Sequence, residues 1–453
     1  MTDSAASATA YSCGIKSYNG AIGVDDDYEP CGTVLEAAHL QGMSPLPPSP
    51  STSDLTPPGY KTGLIVTSRI THATPATFAS HIYDRDLESE IALQEIGYAH
   101  PLGRTVDIIL GGGRCFFTPN TTANSCRDDG IDGLALAKDL GYTVFSDRKT
   151  FDSKDLKMPY LGLFTEDHMS YEADRDAAKE PSLKEMAIRG LNDLYAATED
   201  SEKGFFVMVE ASRIDHAGHA NDPVGRLFPS FCPSRRVLTV PDLGDILAYN
   251  DAMLAMREWI DEHTDSPTTL ISTADHECGG LTVGVQLEGP PDYWYAPEHF
   301  SKASATSGPL ASKWAAYTGS DLRGFLKNSI FAKYGIMEPT EEELSEGLAL
   351  KAEKDKFAKL LTKMLSGRLG VNWATGGHTA ADVTLYGWGV GAQRFRGMRE
   401  NNEVGLFIAE QLGLDLESVT ERIQRNETWM EEWVKPKEGV EKVVRRSLAM
   451  HHH

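Results

Sequence analysis

Apolar runs of four or five residues alternate along the chain with stretches of helical periodicity. Strands are predicted at Thr62-Gly-Leu-Ile-Val66, Val106-Asp-Ile-Ile-Leu110, Tyr160-Leu-Gly-Leu-Phe164, Phe205-Phe-Val-Met-Val209 and Thr268-Thr-Leu-Ile-Ser272. Residues 86–98, 181–198 and 240–263 instead carry apolar side chains every three or four positions, the spacing of an amphipathic helix. Such alternation predicts an α/β architecture around a mostly parallel sheet, with chemistry expected beyond the carboxyl ends of the strands. Two segments break the pattern. Residues 44–59 form a Pro/Ser-rich block that reads as a surface insertion, and 282–374 read as an inserted cap. Within the latter, the charged helical run Thr340 to Leu365 is expected to be a solvated helix face. No internal repeat is visible.

The chain has 453 residues, room for one large core or for two to three ordinary domains. Apolar residues at 41% and charged residues at 24% describe a folded globular protein, and no apolar run reaches the roughly 18 residues of a membrane span. The first residues, Thr2-Asp-Ser-Ala-Ala, lack the basic and apolar regions of a secretory signal. A net charge of −23 argues against a nucleic-acid partner, so any bound phosphate must be held by local cations. The six cysteines, at 13, 31, 115, 126, 232 and 278, show no metal-binding CxxC pair. Cys115 and Cys126 flank a turn-rich stretch and are expected to pair. With Asn-x-Thr triplets at Asn120 and Asn426, that pair leans toward an oxidising lumen or the exterior.

Four polar constellations carry candidate chemistry. The stretch Val209-Glu-Ala-Ser-Arg-Ile-Asp-His-Ala-Gly-His219 ends an apolar strand with two carboxylates and two imidazoles. Buried carboxylates need protons or cations, and Asp215 and His219, spaced i,i+4, aim at one point; a divalent metal and an exposed acidic loop both fit. Asp275 and His276 follow the strand at 268–272 and are able to share an ion where the backbone bends. Cys278 close by is read as a packed thiol in preference to a soft ligand. In Gly376-Gly-His-Thr the paired glycines fold the backbone around His378, which would complete an Asp/His/His shell with an open position. Ser4, preceding small helix-compatible residues, would sit at a helix N-terminus, either as an ordinary cap or as a nucleophile facing an oxyanion.

Together these segments resemble the alkaline phosphatases. The motifs DSAASATA, SRITHATP, DIILGGGR, VEASRIDHAGH, TADHE and GGHTAADV occur in the family's order, and the region from Lys16 to Val24 looks closest to the fungal vacuolar branch. The resemblance implies a three-layer α/β sandwich over residues 1–435 with a crown-like insertion and a tail at 436–453. It implies Ser4 as the nucleophile that is phosphorylated and Arg85 as the phosphate clamp. Asp215, His219 and His378 would hold one zinc ion, and Asp275 and His276 a second. Glu210 and Thr74 would hold magnesium, with His72 nearby. The implied reaction is hydrolysis of phosphate monoesters in two in-line steps, by a homodimer of a vacuolar or secreted enzyme. The family also has an upstream Asp, in a strand-end motif resembling G-D-G-M, that bridges two of the metals. No such motif occurs in this sequence. The expectation is an amino-terminally incomplete chain that lacks a central strand, with weakened metal occupancy or, as the alternative, a non-catalytic fragment or pseudoenzyme that binds phosphate or metal.

Overall fold

The computed structural model describes residues 1–41, 59–226, 244–286 and 293–437. Its centre is a five-stranded sheet of β1 (Lys61–Arg69), β2 (Ile108–Gly112), β3 (Thr143–Phe145), β4 (Tyr160–Leu163) and β5 (Phe205–Glu210). The strand order is β3-β4-β2-β1-β5, and every pairing is parallel.

Because side chains alternate across a strand, each apolar run feeds two cores. Leu64 and Val66 of β1, Ile109 of β2 and Leu161 and Leu163 of β4 enter one cluster with Val34, Leu35 and Phe78. Ile65, Ile108, Leu110 and Tyr160 enter the opposite one with Met186, Leu194 and Trp259. Helix Leu183–Thr198 covers that second face; its start is fixed by a capping box between Ser182 and Glu185. Gly190 lets this helix approach the sheet, since a Cβ there would lie 2.4 Å from Ile65 Cδ1. Layers on both faces give the expected three-layer α/β arrangement.

The fifth predicted strand forms, as β6 (Thr269–Ser272), but it pairs antiparallel with Tyr386–Gly389 and lies outside the main sheet. Among the described residues no strand pairs the outer edge of β5. A cavity of about 730 Å³ there is lined by Phe206 and Met208 of β5, Leu270 and Ile271 of β6, and Met253 and Phe407.

Most of the described helices between 307 and 369 build a separate core from Leu310, Trp314, Phe331, Tyr334, Phe357 and Leu361. The charged run expected to be a solvated face breaks near residues 350–353 into Glu341–Ala349 and Lys354–Leu369. Both are two-sided: Leu344, Phe357, Leu361 and Leu365 are buried while the charges face outward. Asp222 ties this unit to the sheet, accepting hydrogen bonds from Val224 N (2.9 Å), Ser307 N (2.7 Å) and the Tyr334 hydroxyl (2.9 Å). Cys115 and Cys126 form the expected disulfide. Residues 44–58 of the Pro/Ser-rich block, the tail from 438 and Cys232 lie outside the described residues. No described helix is long and apolar enough to cross a membrane.

Candidate active site

Helix α1 (Ser4–Cys13) organises the site. Its N-cap is Asp3, whose Oδ1 accepts from Ala6 N at 2.9 Å, and Gly14 closes it in the left-handed region at φ 72°. The Ala/Ser/Thr composition follows from crowding. A Cβ on Gly405, in helix Asn402–Leu412, would stand 2.8 Å from Ala10 O. Ser4 is the first helical residue and is 6% exposed. Its Oγ lies 3.1 Å from His276 Nε2. The same helix grips the segment bearing His276: Ser7 Oγ donates to Asp275 O (2.9 Å) and Tyr11 to Ala274 O (2.8 Å). Asp275 Oδ2 stands 3.2 Å from His276 Nε2, so Ser4, Asp275 and His276 converge.

A second group meets one turn beyond β5. Asp215 Oδ2 lies 3.4 Å from His219 Nε2, and His219 Nε2 lies 3.2 Å from His378 Nε2. The other ring nitrogens face backbone oxygens: His219 Nδ1 with Gly376 O at 2.7 Å, His378 Nδ1 with Thr2 O at 2.9 Å. An oxygen there demands an N–H, so His378 Nε2 keeps its lone pair, while His219 Nε2 faces both that lone pair and the Asp215 carboxylate. Either a proton on His219 Nε2 or a bound cation satisfies both neighbours. Asp215 Oδ1 is buried without a hydrogen-bond partner, as is His276 Nδ1, 4.0 Å away. An imidazole lone pair, a second imidazole nitrogen beside it and an orphaned carboxylate oxygen suit a divalent cation bound by N and O donors. Burial would raise the Asp215 carboxyl, but His219 and His276 hold it well below the usual carboxylate range. The hydrogen bond to Asp215 lifts His219, whereas burial lowers His378.

Glu210 ends β5. Its Oε2 accepts from Ser212 Oγ at 2.6 Å, and burial pushes its pKa up to about 7 despite that bond. A buried carboxyl so raised is one that a cation would ionise. Thr74 Oγ1 and His72 Nδ1 are buried and unpartnered. They belong to the start of α3 (Ala73–Ala79), of which His72 is the N-cap. Burial and the neighbouring Arg85 lower His72. Arg85 places Nη1 3.1 Å from Asp3 Oδ2 and Nη2 3.2 Å from His72 Nε2.

The structure thus brings the expected residues into one neighbourhood. Ser4, His72, Thr74, Glu210, Asp215, Asp275 and His276 line the same cavity, and contacts to these residues tie in Arg85, His219 and His378. Sequence reasoning missed Asp3, which caps α1, accepts from Gly20 N at 2.9 Å and orients Arg85. Its signal was an Asp directly before the helix. His216, one of the two imidazoles read after the strand, is given no role by sequence reasoning; its ring packs 4.2 Å from His168 and 5.2 Å from His72. No local spacing announces that trio.

The alkaline phosphatase family model matches residues 1–46 and 54–414. The alkaline phosphatase of Schizosaccharomyces pombe is 37% identical over 428 residues, spanning 94% of this chain and 74% of that protein. The repressible alkaline phosphatase of Saccharomyces cerevisiae is 38% identical over the same shares. Among solved structures, a cold-active alkaline phosphatase from a psychrophilic Shewanella aligns with TM-score 0.70 at 27% identity over 91% of this chain and 86% of its own. The Thermus thermophilus enzyme aligns with TM-score 0.70 at 26% identity, over 94% and 84%. A buried serine at the head of a helix, an Asp/His/His cluster and these relatives agree, and the chain belongs to the alkaline phosphatase family of phosphate-monoester hydrolases.

Proposed function

We propose that this chain hydrolyses phosphate monoesters through a phosphoserine formed on Ser4. The observation that carries the reading is the position of Ser4: first residue of a buried helix, its Oγ 3.1 Å from His276 Nε2 and beside Asp275. The N-terminus of α1 presents free N–H groups and a positive dipole end to a phosphoryl oxyanion. Arg85, oriented by Asp3, offers a planar fork able to pair two phosphoryl oxygens. Ser4 Oγ attacks phosphorus in line, the P–O bond to the alcohol breaks, and the alcohol leaves. Water then attacks the phosphoserine on the opposite face, releasing inorganic phosphate and restoring the hydroxyl.

The residues fit two zinc ions and one magnesium ion. Asp215, His219 and His378 would hold one zinc, Asp275 and His276 with Ser4 the second, and Glu210 and Thr74, near His72, the magnesium. When bound, these cations would lower the pKa of a ligating hydroxyl and neutralise charge on the reacting oxygens. The Cys115–Cys126 disulfide supports residence in an oxidising lumen, such as a vacuole, or outside the cell.

The test is hydrolysis of an aryl phosphate at alkaline pH with zinc and magnesium, beside Ser4→Ala. The expected result is metal-dependent turnover that chelator abolishes, that Ser4→Ala lacks, and that yields acid-stable phosphoprotein from radiolabelled phosphate. Turnover by Ser4→Ala at the unsubstituted rate would remove the serine mechanism. No turnover from the folded, metal-supplied chain would overturn the hydrolase reading in favour of a non-catalytic fragment or a pseudoenzyme that binds phosphate or metal.

A further inference from the structure

Cys278 occupies a place that neither composition nor local spacing explains. It is 3% exposed, as a packed thiol should be. Yet its strand β7 (Glu277–Cys278) pairs antiparallel with His378–Thr379 in a register that sets Cys278 directly opposite His378. The turn after it is tightly held: Gly279 has φ 87°, and a Cβ there would stand 2.7 Å from the Trp373 ring. In consequence the Cys278 sulfur, an Asp215 oxygen and ring nitrogens of His219 and His378 all lie within 4.8 Å of one another. Within hydrogen-bonding range the thiol contacts the backbone carbonyl of Asp215, at 3.5 Å.

A second observation points to a ligand on this side of the site. The His276 ring, 3% exposed, leaves Nδ1 without a hydrogen bond, 4.0 Å from Asp215 Oδ1, which is also unpartnered. Two buried polar atoms facing the cluster therefore lack a partner. Four donors of S, N, N and O type within one ion's reach make a closed tetrahedral zinc shell, whereas three leave a position open.

We propose that the Cys278 thiolate is a fourth protein ligand of the divalent cation bound by Asp215, His219 and His378, a proposal that rests on the metal-centre reading of that trio. On binding, the S–H bond breaks, its proton goes to solvent and a metal–sulfur bond forms, with no change of oxidation state. Sulfur biases the centre toward soft and borderline cations and away from magnesium. It also makes access of a phosphoryl oxygen depend on a fifth position or on displacement of the sulfur.

The test uses the full chain, stripped by chelator and loaded with cobalt(II). The expected wild-type spectrum has thiolate-to-cobalt charge-transfer absorption in the near ultraviolet together with visible ligand-field bands. Cys278→Ser and Cys278→Ala should lose the former and keep the latter, and cadmium affinity should fall at least about 10- to 100-fold. X-ray absorption of the zinc-loaded wild type should show sulfur scattering at about 2.3 Å, a readout independent of any variant's folding. Bound cobalt without charge transfer, equal charge transfer in the serine variant, or zinc without sulfur scattering would overturn the thiolate ligand while leaving the trio intact. Failure of wild type to bind cobalt, or ligand-field bands unaffected by His219→Ala, would overturn the reading of the trio itself.

Discussion

Glu36 provides a stability test whose size and pH sign both follow from the structure. Its side chain is fully buried in α2 (Val34–Leu40), where Oε2 accepts from Thr33 N at 2.9 Å to complete a capping box. Oε1 lies 2.9 Å from His81 Nε2 and 2.9 Å from His100 Nε2. His81 Nδ1 faces Gly23 O at 2.7 Å, so both its nitrogens meet oxygens and the ring is held as imidazolium. His100 Nδ1 accepts from Leu102 N at 3.2 Å, which leaves its proton on Nε2, toward Glu36. Trp429 closes the cluster, its ring 6.0 and 5.7 Å from the two imidazoles. Burial opposes both charges, but the histidines hold Glu36 below the usual carboxylate range and Glu36 lifts His81. Glu36→Gln keeps the shape and removes the charge. With its oxygen on Thr33 N, the new amide points N–H groups at donors, and breaking such a buried pair costs about 3–5 kcal/mol. A raised histidine pKa contributes stability that is fully present below the unfolded value of about 6.5 and disappears as pH rises through the folded pKa. Urea unfolding at about pH 5 to 6, below the unfolded histidine value and above that of the carboxylate, should therefore show the full deficit, and the gap to wild type should shrink toward alkaline pH. A variant with the wild-type midpoint throughout, or a gap that widens with pH, would refute the ion-pair assignment.

Other perturbations separate structural from functional roles. Replacing both Cys115 and Cys126 with Ser opens a loop of sequence separation 11 and should lower unfolding stability by about 3 kcal/mol with aryl-phosphate turnover unchanged. Gly405→Ala drives a methyl against the backbone atoms Ala10 O, Tyr11 O and Gly14 N, all 2.8 Å away. It should cost about 1–3 kcal/mol in denaturant unfolding and, by shifting the helix that carries Ser4, lower kcat more than it raises KM. Asp222→Ala strands Ser307 N–H and the Tyr334 hydroxyl at about 1–3 kcal/mol each. Limited proteolysis should then cut the helices between 307 and 369 first, before the sheet.

How much of this was legible in the sequence depends on whether the determinants are local. Strands β1, β2 and β4, buried on both faces, and the half-buried β5 announce themselves as unbroken apolar runs, and the capping box before Leu183 is as readable. Ligand types were equally readable, because Glu210 to His219 and Asp275-His276 follow strand ends within a few residues. What the sequence withheld is convergence. Asp3 becomes a positioning group only when Gly20 N and Arg85 arrive from distant segments. Strand β6 read as a member of the parallel sheet because its composition suits one; only its antiparallel partner at Tyr386–Gly389 places it elsewhere, and no periodicity encodes partner choice. The same holds for the site. The spacing of Asp215 and His219 puts two donors on one helical turn, but the third arrives by strand register. His378 lies opposite Cys278, and its Nδ1 is held by Thr2 O, two residues before the proposed nucleophile. That single hydrogen bond couples the Asp/His/His cluster to the start of α1, so the chemistry of either group depends on the placement of the other.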